Sequence, residues 1–177
     1  DAARADGIGL ELDAALAHAV MASARALPDD VWLSINISTE LAAHRETLEE
    51  IVAAAPCTVV VEIGGDLDAI ALGSSLSDIP GLSVAVDDAG AGYDSLARIE
   101  ASKPAFMKLD RAAVNGIEHD GARRAFVTTL VAFAREHGCD VIAEGIESTG
   151  ERDALREAGV ELGQGYFVGR PTPVDQV

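Results

Sequence analysis

The stretch TVVVEI, residues 58–63, is a short run of β-branched residues that carries a carboxylate, Glu62, near its end. Such runs predict strands, and the Ala- and Leu-rich segments between them predict helices. The predicted strands cover residues 31–38, 58–63, 83–88, 106–110, 140–146 and 165–169. The predicted helices cover roughly residues 11–27, 40–55, 67–76, 93–101, 121–137 and 150–158. This alternation indicates an α/β fold with a parallel sheet covered by helices.

Polar residues stand at the carboxyl end of nearly every predicted strand. They are Asn36, Glu62, Asp87, Asp88, Lys108, Asp110, Glu144, Glu147 and Gln164. In an open sheet only the strands beside the switch point carry such groups, whereas in a barrel all strand ends meet at one mouth. The pattern therefore favours a TIM-like (β/α) barrel. Because eight strand–helix units need about 250 residues, we expect about six of the eight in this chain.

The charge of the chain excludes several classes of partner. Its 177 residues include 30 Asp and Glu against 13 Lys and Arg, a formal net charge of −17. This acidity argues against a DNA or RNA polymer as ligand and against docking on anionic lipid. No stretch approaches the ~20 apolar residues of a membrane-spanning helix. An anionic substrate would need a divalent cation to offset the carboxylates.

The oxygen-rich side chains at the strand ends suit a particular kind of metal site. Asn36, Glu62, Asp87 and Asp88 offer only oxygen ligands, which Mg²⁺ or Mn²⁺ accept more readily than zinc does. Two such ions about 4 Å apart are a common device for phosphodiester cleavage. Lys108 could hold a water or a phosphoryl oxygen, while Glu144 could bind the second metal or accept a proton. The alternative is that these residues form structural ion pairs and strand caps.

Six motifs resemble those of one known family. They are SINIS (34–38), VVVEI (59–63), VDDAGAGYDSL (86–96), KPAFMKLDR (103–111), VIAEGIES (141–148) and GQGYFVGRPTP (163–173). Their order and spacing resemble those of EAL domains, bacterial phosphodiesterases that linearise cyclic di-GMP to pGpG. The resemblance implies a modified TIM barrel with a two-metal Mg²⁺ or Mn²⁺ site. It also implies a domain that is often dimeric and often fused to sensory domains, and we separately expect a cytoplasmic location.

The resemblance also implies roles for individual residues. Asn36, Glu62, Asp87 and Asp88 resemble metal ligands of the family, and Glu144 resembles the ligand of the second metal or the base. Lys108 resembles the lysine that orients water and phosphate. Glu147 and Gln164 resemble the residues that support the water network.

The chain departs from the family pattern in two places. The Glu-Ala-Leu motif, expected upstream of residues 8–10, is absent, so we interpret residues 1–177 as a single EAL-like domain that lacks its N-terminal portion. We expect this fragment alone to be inactive. Gly65 replaces a glutamate that braces the loop after Asp88, and that loop carries Ala89, Ala91 and Asp94 at positions where the family has other residues. These replacements favour a second hypothesis, a non-catalytic EAL module that binds cyclic di-GMP or a partner protein.

Overall fold

The computed structural model describes residues 8–28, 30–63, 75–87, 96, 99–100 and 102–174. Its helices and strands, in chain order, are α1 (Gly9–Ala24), β1 (Leu33–Asn36), α2 (Thr39–Ala43), α3 (Arg45–Ala53), β2 (Val59–Ile63), β3 (Leu82–Val86), β4 (Phe106–Leu109), α4 (Arg111–Val114), a 3-10 turn (Ile117–His119), α5 (Gly121–Glu136), β5 (Asp140–Ala143), α6 (Thr149–Glu157) and β6 (Leu162–Gly163). The six described strands follow one another in the sheet in chain order, and the pairs with a defined register are parallel. The predicted α/β fold with a parallel sheet is confirmed.

The first of two compact units comprises Asp1–Val84 and Thr172–Val177. Helix α1 packs against α2 and α3 through a buried face formed by Ala17, Met21 and Ala24. Strand β2 is buried along almost its whole length, as the run of β-branched residues predicts. Strand β1 is more exposed and lies at the edge of the sheet.

The second unit comprises Ala85–Pro171. Strands β4 and β5 pair in register, with Met107 beside Val141 and Leu109 beside Ala143. These four buried side chains join the apolar faces of α5 and α6 in one core. Helix α6 also contacts the 3-10 turn. The helices thus cover one face of this part of the sheet, as expected for strand–helix alternation.

Two sequence-based boundaries are wrong. The last strand is Leu162–Gly163 and not residues 165–169, because the N–H groups of Val168 and Gly169 both donate to the carbonyl of Gly165 and close a turn there. The predicted helix 40–55 is interrupted at His44, whose backbone is not helical. The predicted helices at 67–76 and 93–101 lie largely outside the described residues.

The described helices are short. Helices α1 and α5 have 16 residues each. Within the described ranges, no helix combines the length and the apolar character that crossing a bilayer requires.

Candidate active site

Two predicted ligands lie side by side in the first unit. Asn36 ends β1 and is in register with Glu62 of β2. Ser34 lies two residues before Asn36, on the same face of β1, and its hydroxyl donates to Oε1 of Glu62 at 2.5 Å. Glu62 is half-buried and Asn36 is exposed. This face of the first unit therefore presents an amide and a carboxylate together, both of which bind cations through oxygen.

The second unit carries four more of the predicted residues, each within or directly after one of its strands. Lys108 of β4 is in register with Ile142 of β5, and Ile142 is in register with Leu162 of β6. Because side chains alternate between faces, Glu144 and Gln164, each two residues further on, share the face of Lys108. Asp87 is half-buried and directly follows β3, whose last residue, Val86, pairs with Met107.

Lys108, Glu144 and Gln164 are in direct contact. Lys108 is only 4% exposed, and its ammonium group forms an ion pair with Oε1 of Glu144. The side-chain amide of Gln164 donates to the same oxygen at 2.8 Å. Main-chain bonds fix the two partners, because the N–H of Glu144 donates to the carbonyl of Leu109 and that of Gln164 to the carbonyl of Ala143. The carboxylate is therefore held by two donors in a mostly buried place, where electrostatic interactions are strong.

Glu147 lies apart from this contact. Its carboxylate pairs with the guanidinium group of Arg111 at 2.8 Å, and both side chains are substantially exposed. The side chain of Arg111 also packs under Gly145, where an added Cβ would lie 3.0 Å from Cγ of Arg111. Glu147 thus belongs to the rim of the site, and its nearest charged partner is a residue that sequence reasoning did not assign.

Glu151 is a buried residue of the site region that sequence reasoning missed. Its carboxylate accepts hydrogen bonds from the N–H groups of Gly116, Glu147 and Ser148 at 3.2, 2.8 and 3.1 Å. Burial acts to raise the pKa of Glu151, but the three backbone donors and the side-chain hydrogen bond of Ser148 together outweigh it, so the pKa is lowered. The sequence signal was present, since Ser148 and Glu151 form a capping box at the start of α6.

The lowered pKa makes a pH-dependent contribution to stability. Because the native pKa lies below the ordinary 4.5, the contribution is complete above that value and is lost as the pH falls through the native pKa. We expect Glu151→Gln to lower the free energy of unfolding by about 2 kcal/mol at pH 7 and by less below pH 4.5. Urea unfolding across this range measures both. Glu157→Gln, an exposed glutamate at the other end of α6, is the matched control and should change stability by less than about 0.5 kcal/mol.

Gly165, next to Gln164, allows its own backbone segment to lie against the backbone of Ile146. A Cβ at this position would lie 2.2 Å from both the N and the O of Ile146, and φ is +152°. We expect Gly165→Ala to force the segments apart and to destabilise the protein by about 3 kcal/mol. Thermal unfolding measures this. Gly169→Ala is the control because its added Cβ meets nothing within 4 Å, and equal melting of the two variants would contradict the prediction.

The donor atoms of these residues are compatible with a hard divalent cation. Amide and carboxylate oxygens at Asn36, Glu62, Asp87 and Glu144 are the ligands that Mg²⁺ and Mn²⁺ prefer. Within the described ranges, no three His, Cys, Asp or Glu side chains cluster closely enough to make a metal site by themselves. Asp88 lies outside the described residues, as do Gly65, Ala89, Ala91 and Asp94.

A family comparison covers nearly the whole chain. The model of the EAL domain family matches residues 1–171. Two curated relatives from Pseudomonas aeruginosa illustrate the sequence similarity. "Bifunctional diguanylate cyclase/cyclic di-GMP phosphodiesterase MucR" is 33% identical over 97 residues, which are 55% of this chain and 14% of that protein. "Cyclic di-GMP phosphodiesterase RocR" is 38% identical over 95 residues, which are 54% of this chain and 24% of that protein. The chain thus spans less than a quarter of these relatives.

Solved structures agree on the fold. The structure described as "PaMucR Phosphodiesterase, c-di-GMP complex" superimposes with a TM-score of 0.83 at 25% identity and covers 98% of this chain and 82% of that one. The structure described as "Klebsiella pneumoniae BlrP1 pH 8.0 calcium/cy-diGMP complex" has a TM-score of 0.73 at 26% identity and covers 89% of this chain and 43% of that one. The predicted TIM-like α/β fold of the EAL type is confirmed by these matches.

Proposed function

Because the chain belongs to the EAL domain family, we propose that it is a phosphodiesterase domain that hydrolyses cyclic di-GMP to linear pGpG. The observation that carries this proposal is the contact of buried Lys108 with a carboxylate oxygen of Glu144 that also accepts from Gln164. A buried lysine costs free energy, and its position beside a carboxylate suits proton transfer and phosphate binding.

The proposed metal ligands are the oxygen donors at the strand ends. They are Asn36, Glu62, Asp87, Asp88 and Glu144. Two Mg²⁺ or Mn²⁺ ions bound there would supply an activated water and neutralise charge on the phosphate. The pairing of Asn36 with Glu62 and the half-buried position of Asp87 support this assignment.

The remaining residues are proposed to orient the water and the phosphate. As the base, Glu144 accepts a proton from the water as its oxygen bonds to phosphorus; the bond from phosphorus to the 3′ oxygen breaks, and the leaving 3′ oxygen takes a proton from solvent. Lys108 offsets the negative charge that grows on the phosphoryl oxygens. Gln164 holds the Glu144 carboxylate in place, and Glu147 supports the rim. The ring-opened product keeps its 5′ phosphate and gains a 3′ hydroxyl.

The location of the domain in the cell and its neighbouring domains are also proposed. We propose a cytoplasmic signalling protein in which this domain forms homodimers and is joined to sensory domains, as the family resemblance implies. The length of the matched relatives supports a multidomain setting, because the aligned region is 14% of MucR and 24% of RocR.

A second candidate function is a non-catalytic module that binds cyclic di-GMP or a protein partner. The observation that favours it is in the sequence, where Gly65 stands in place of the bracing glutamate and Ala91 in place of a threonine. A loop without these hydrogen-bonding side chains is a weaker support for catalysis, although it does not prevent ligand binding.

One assay separates the two functions. The full-length protein is incubated with cyclic di-GMP and either Mg²⁺ or Mn²⁺, and pGpG is followed by chromatography, with the chelator EDTA as the control. Metal-dependent release of pGpG is the expected result. Micromolar binding of cyclic di-GMP without turnover would favour the receptor, and the absence of both binding and turnover would leave protein interaction as the function.

A further inference from the structure

The segment that carries Glu144 and Glu147 is held at its first half by the sheet. The N–H of Glu144 donates to the carbonyl of Leu109 at 2.9 Å, and the N–H of Ile146 donates to the carbonyl of Gln164 at 3.0 Å. The carbonyl of Ile146 in turn accepts from Phe167. These main-chain bonds place Glu144 without any help from helix α6.

The second half of the segment is held differently. The N–H groups of Glu147 and Ser148 both donate to Oε2 of Glu151, at 2.8 and 3.1 Å. Glu151 is only 6% exposed. An ionised carboxylate that accepts several backbone N–H bonds in a buried place makes strong, well-aligned contacts. The backbone position of Glu147 therefore depends on a side chain of α6.

The other oxygen of Glu151 reaches a different part of the unit. Its Oε1 accepts from the N–H of Gly116, which follows helix α4. Helix α4 begins at Arg111, the partner of the Glu147 carboxylate, and directly follows the strand that carries Lys108. One buried carboxylate thus connects the segment after β4 with the segment after β5.

We infer that Glu151 is a positioning residue that sets the distance between Glu147 and the Arg111 segment and thereby the geometry of the proposed reaction. The inference rests on the proposed function for its catalytic consequence and on the hydrogen bonds of Glu151 for its structural part. Removal of the carboxylate frees three backbone N–H groups, and the Glu147 segment then shifts relative to Glu144. A displacement of about 1 Å in a segment that supports the site can lower turnover by up to about a hundredfold even when the segment lies away from the reacting atoms.

A matched control variant tests whether Glu151 acts only as a helix cap. Ser148 supplies the other half of the capping box, because its hydroxyl accepts from the N–H of Glu151 at 3.1 Å. Ser148→Ala removes this cap and the side-chain hydrogen bond of Ser148 to Glu151, but it leaves the three bonds from backbone N–H groups to the Glu151 carboxylate. A capping role predicts similar effects for the two variants, whereas a positioning role predicts an effect on turnover for Glu151→Ala alone.

The test compares wild type, Glu151→Ala and Ser148→Ala in the full-length protein, at a temperature where thermal melts show all three folded. With cyclic di-GMP as substrate, we expect Glu151→Ala to lower kcat by about 10- to 100-fold with KM within about twofold of wild type. We expect Ser148→Ala to stay within about twofold in both constants. Glu151→Gln, which keeps the size of the side chain, replaces the alanine variant if that variant does not fold.

A second readout does not need turnover. Amide hydrogen exchange should accelerate at Gly116, Glu147 and Ser148 in Glu151→Ala and stay unchanged at Glu144 and Ile146. Unchanged kcat, an equal loss of kcat in both variants, or unchanged exchange at Glu147 would overturn the inference. If wild type releases no pGpG, the proposed function fails, and the exchange pattern alone decides whether Glu151 holds this segment.

Discussion

Lys108→Met should release pGpG at least about a hundredfold more slowly than wild type, with the affinity for Mn²⁺ unchanged within about twofold. Lys108 is 4% exposed and contacts the Glu144 carboxylate. Methionine matches its length but lacks the positive charge that would meet the phosphoryl oxygens. Removal of such a group from a buried site costs more than removal from the surface because water cannot replace it. Chromatography of pGpG and calorimetry with Mn²⁺ provide the two measurements.

The control for this experiment is Lys103→Met. Lys103 is exposed and lies before β4, so the variant makes the same chemical change outside the site. It should retain wild-type turnover within about twofold. If Lys108→Met turned over cyclic di-GMP as fast as Lys103→Met, the role proposed for Lys108 would be lost.

Asp87→Ala should remove Mn²⁺ binding and reduce pGpG release to the level of the reaction without protein. Asp87 is half-buried and directly follows β3, the strand that pairs with the strand of Lys108. We propose that Asp87 binds both metal ions, so its truncation should lower Mn²⁺ affinity at two sites, whereas loss of a ligand to one metal would spare the other. Titration with Mn²⁺ and the pGpG assay measure the loss.

Asp140→Ala is the matched control for Asp87→Ala. Asp140 begins β5, at the opposite end of the strands from the candidate site, and is exposed. The variant removes the same charge, so a general change in the acidic surface would affect both proteins equally. Retained Mn²⁺ affinity in Asp87→Ala would contradict the assignment of this residue as a ligand.

The strands and their carboxylates were predictable because two local signals agree in them. In β2 the β-branched run and the terminal Glu62 point to the same buried strand with a polar end, and the structure has both. Residues 165–169 carry an equally strong β-forming pattern, yet the carbonyl of Gly165 accepts two hydrogen bonds and forms a turn. Local β-strand propensity does not reveal this turn, because the turn depends on the close approach of Ile146 to Gly165.

The residue types of the candidate site could be predicted from the sequence, but the contacts between these residues could not. The sequence identified Lys108, Glu144 and Gln164 as candidates. That Lys108 and Gln164 both contact one oxygen of Glu144 follows only from the register of β4, β5 and β6. Glu151 was missed because its capping pattern explains it locally. Its bond to Gly116 spans 35 residues of sequence and follows only from the packing of α6.

The burial of Lys108 has a consequence for thermal resistance. Its strand neighbours Met107 and Leu109 are fully buried apolar residues. Lys108 alone among the three carries a charged group, and burying that group costs free energy because water no longer solvates it. An apolar side chain of equal length escapes the penalty of dehydrating a cation, but it leaves the Glu144 carboxylate without its ion-pair partner. Lys108→Met is therefore expected to melt lower than the natural protein, whereas joint replacement of Lys108 and Glu144 by apolar side chains escapes this loss, so the ion pair serves the chemistry of the site rather than the stability of the fold.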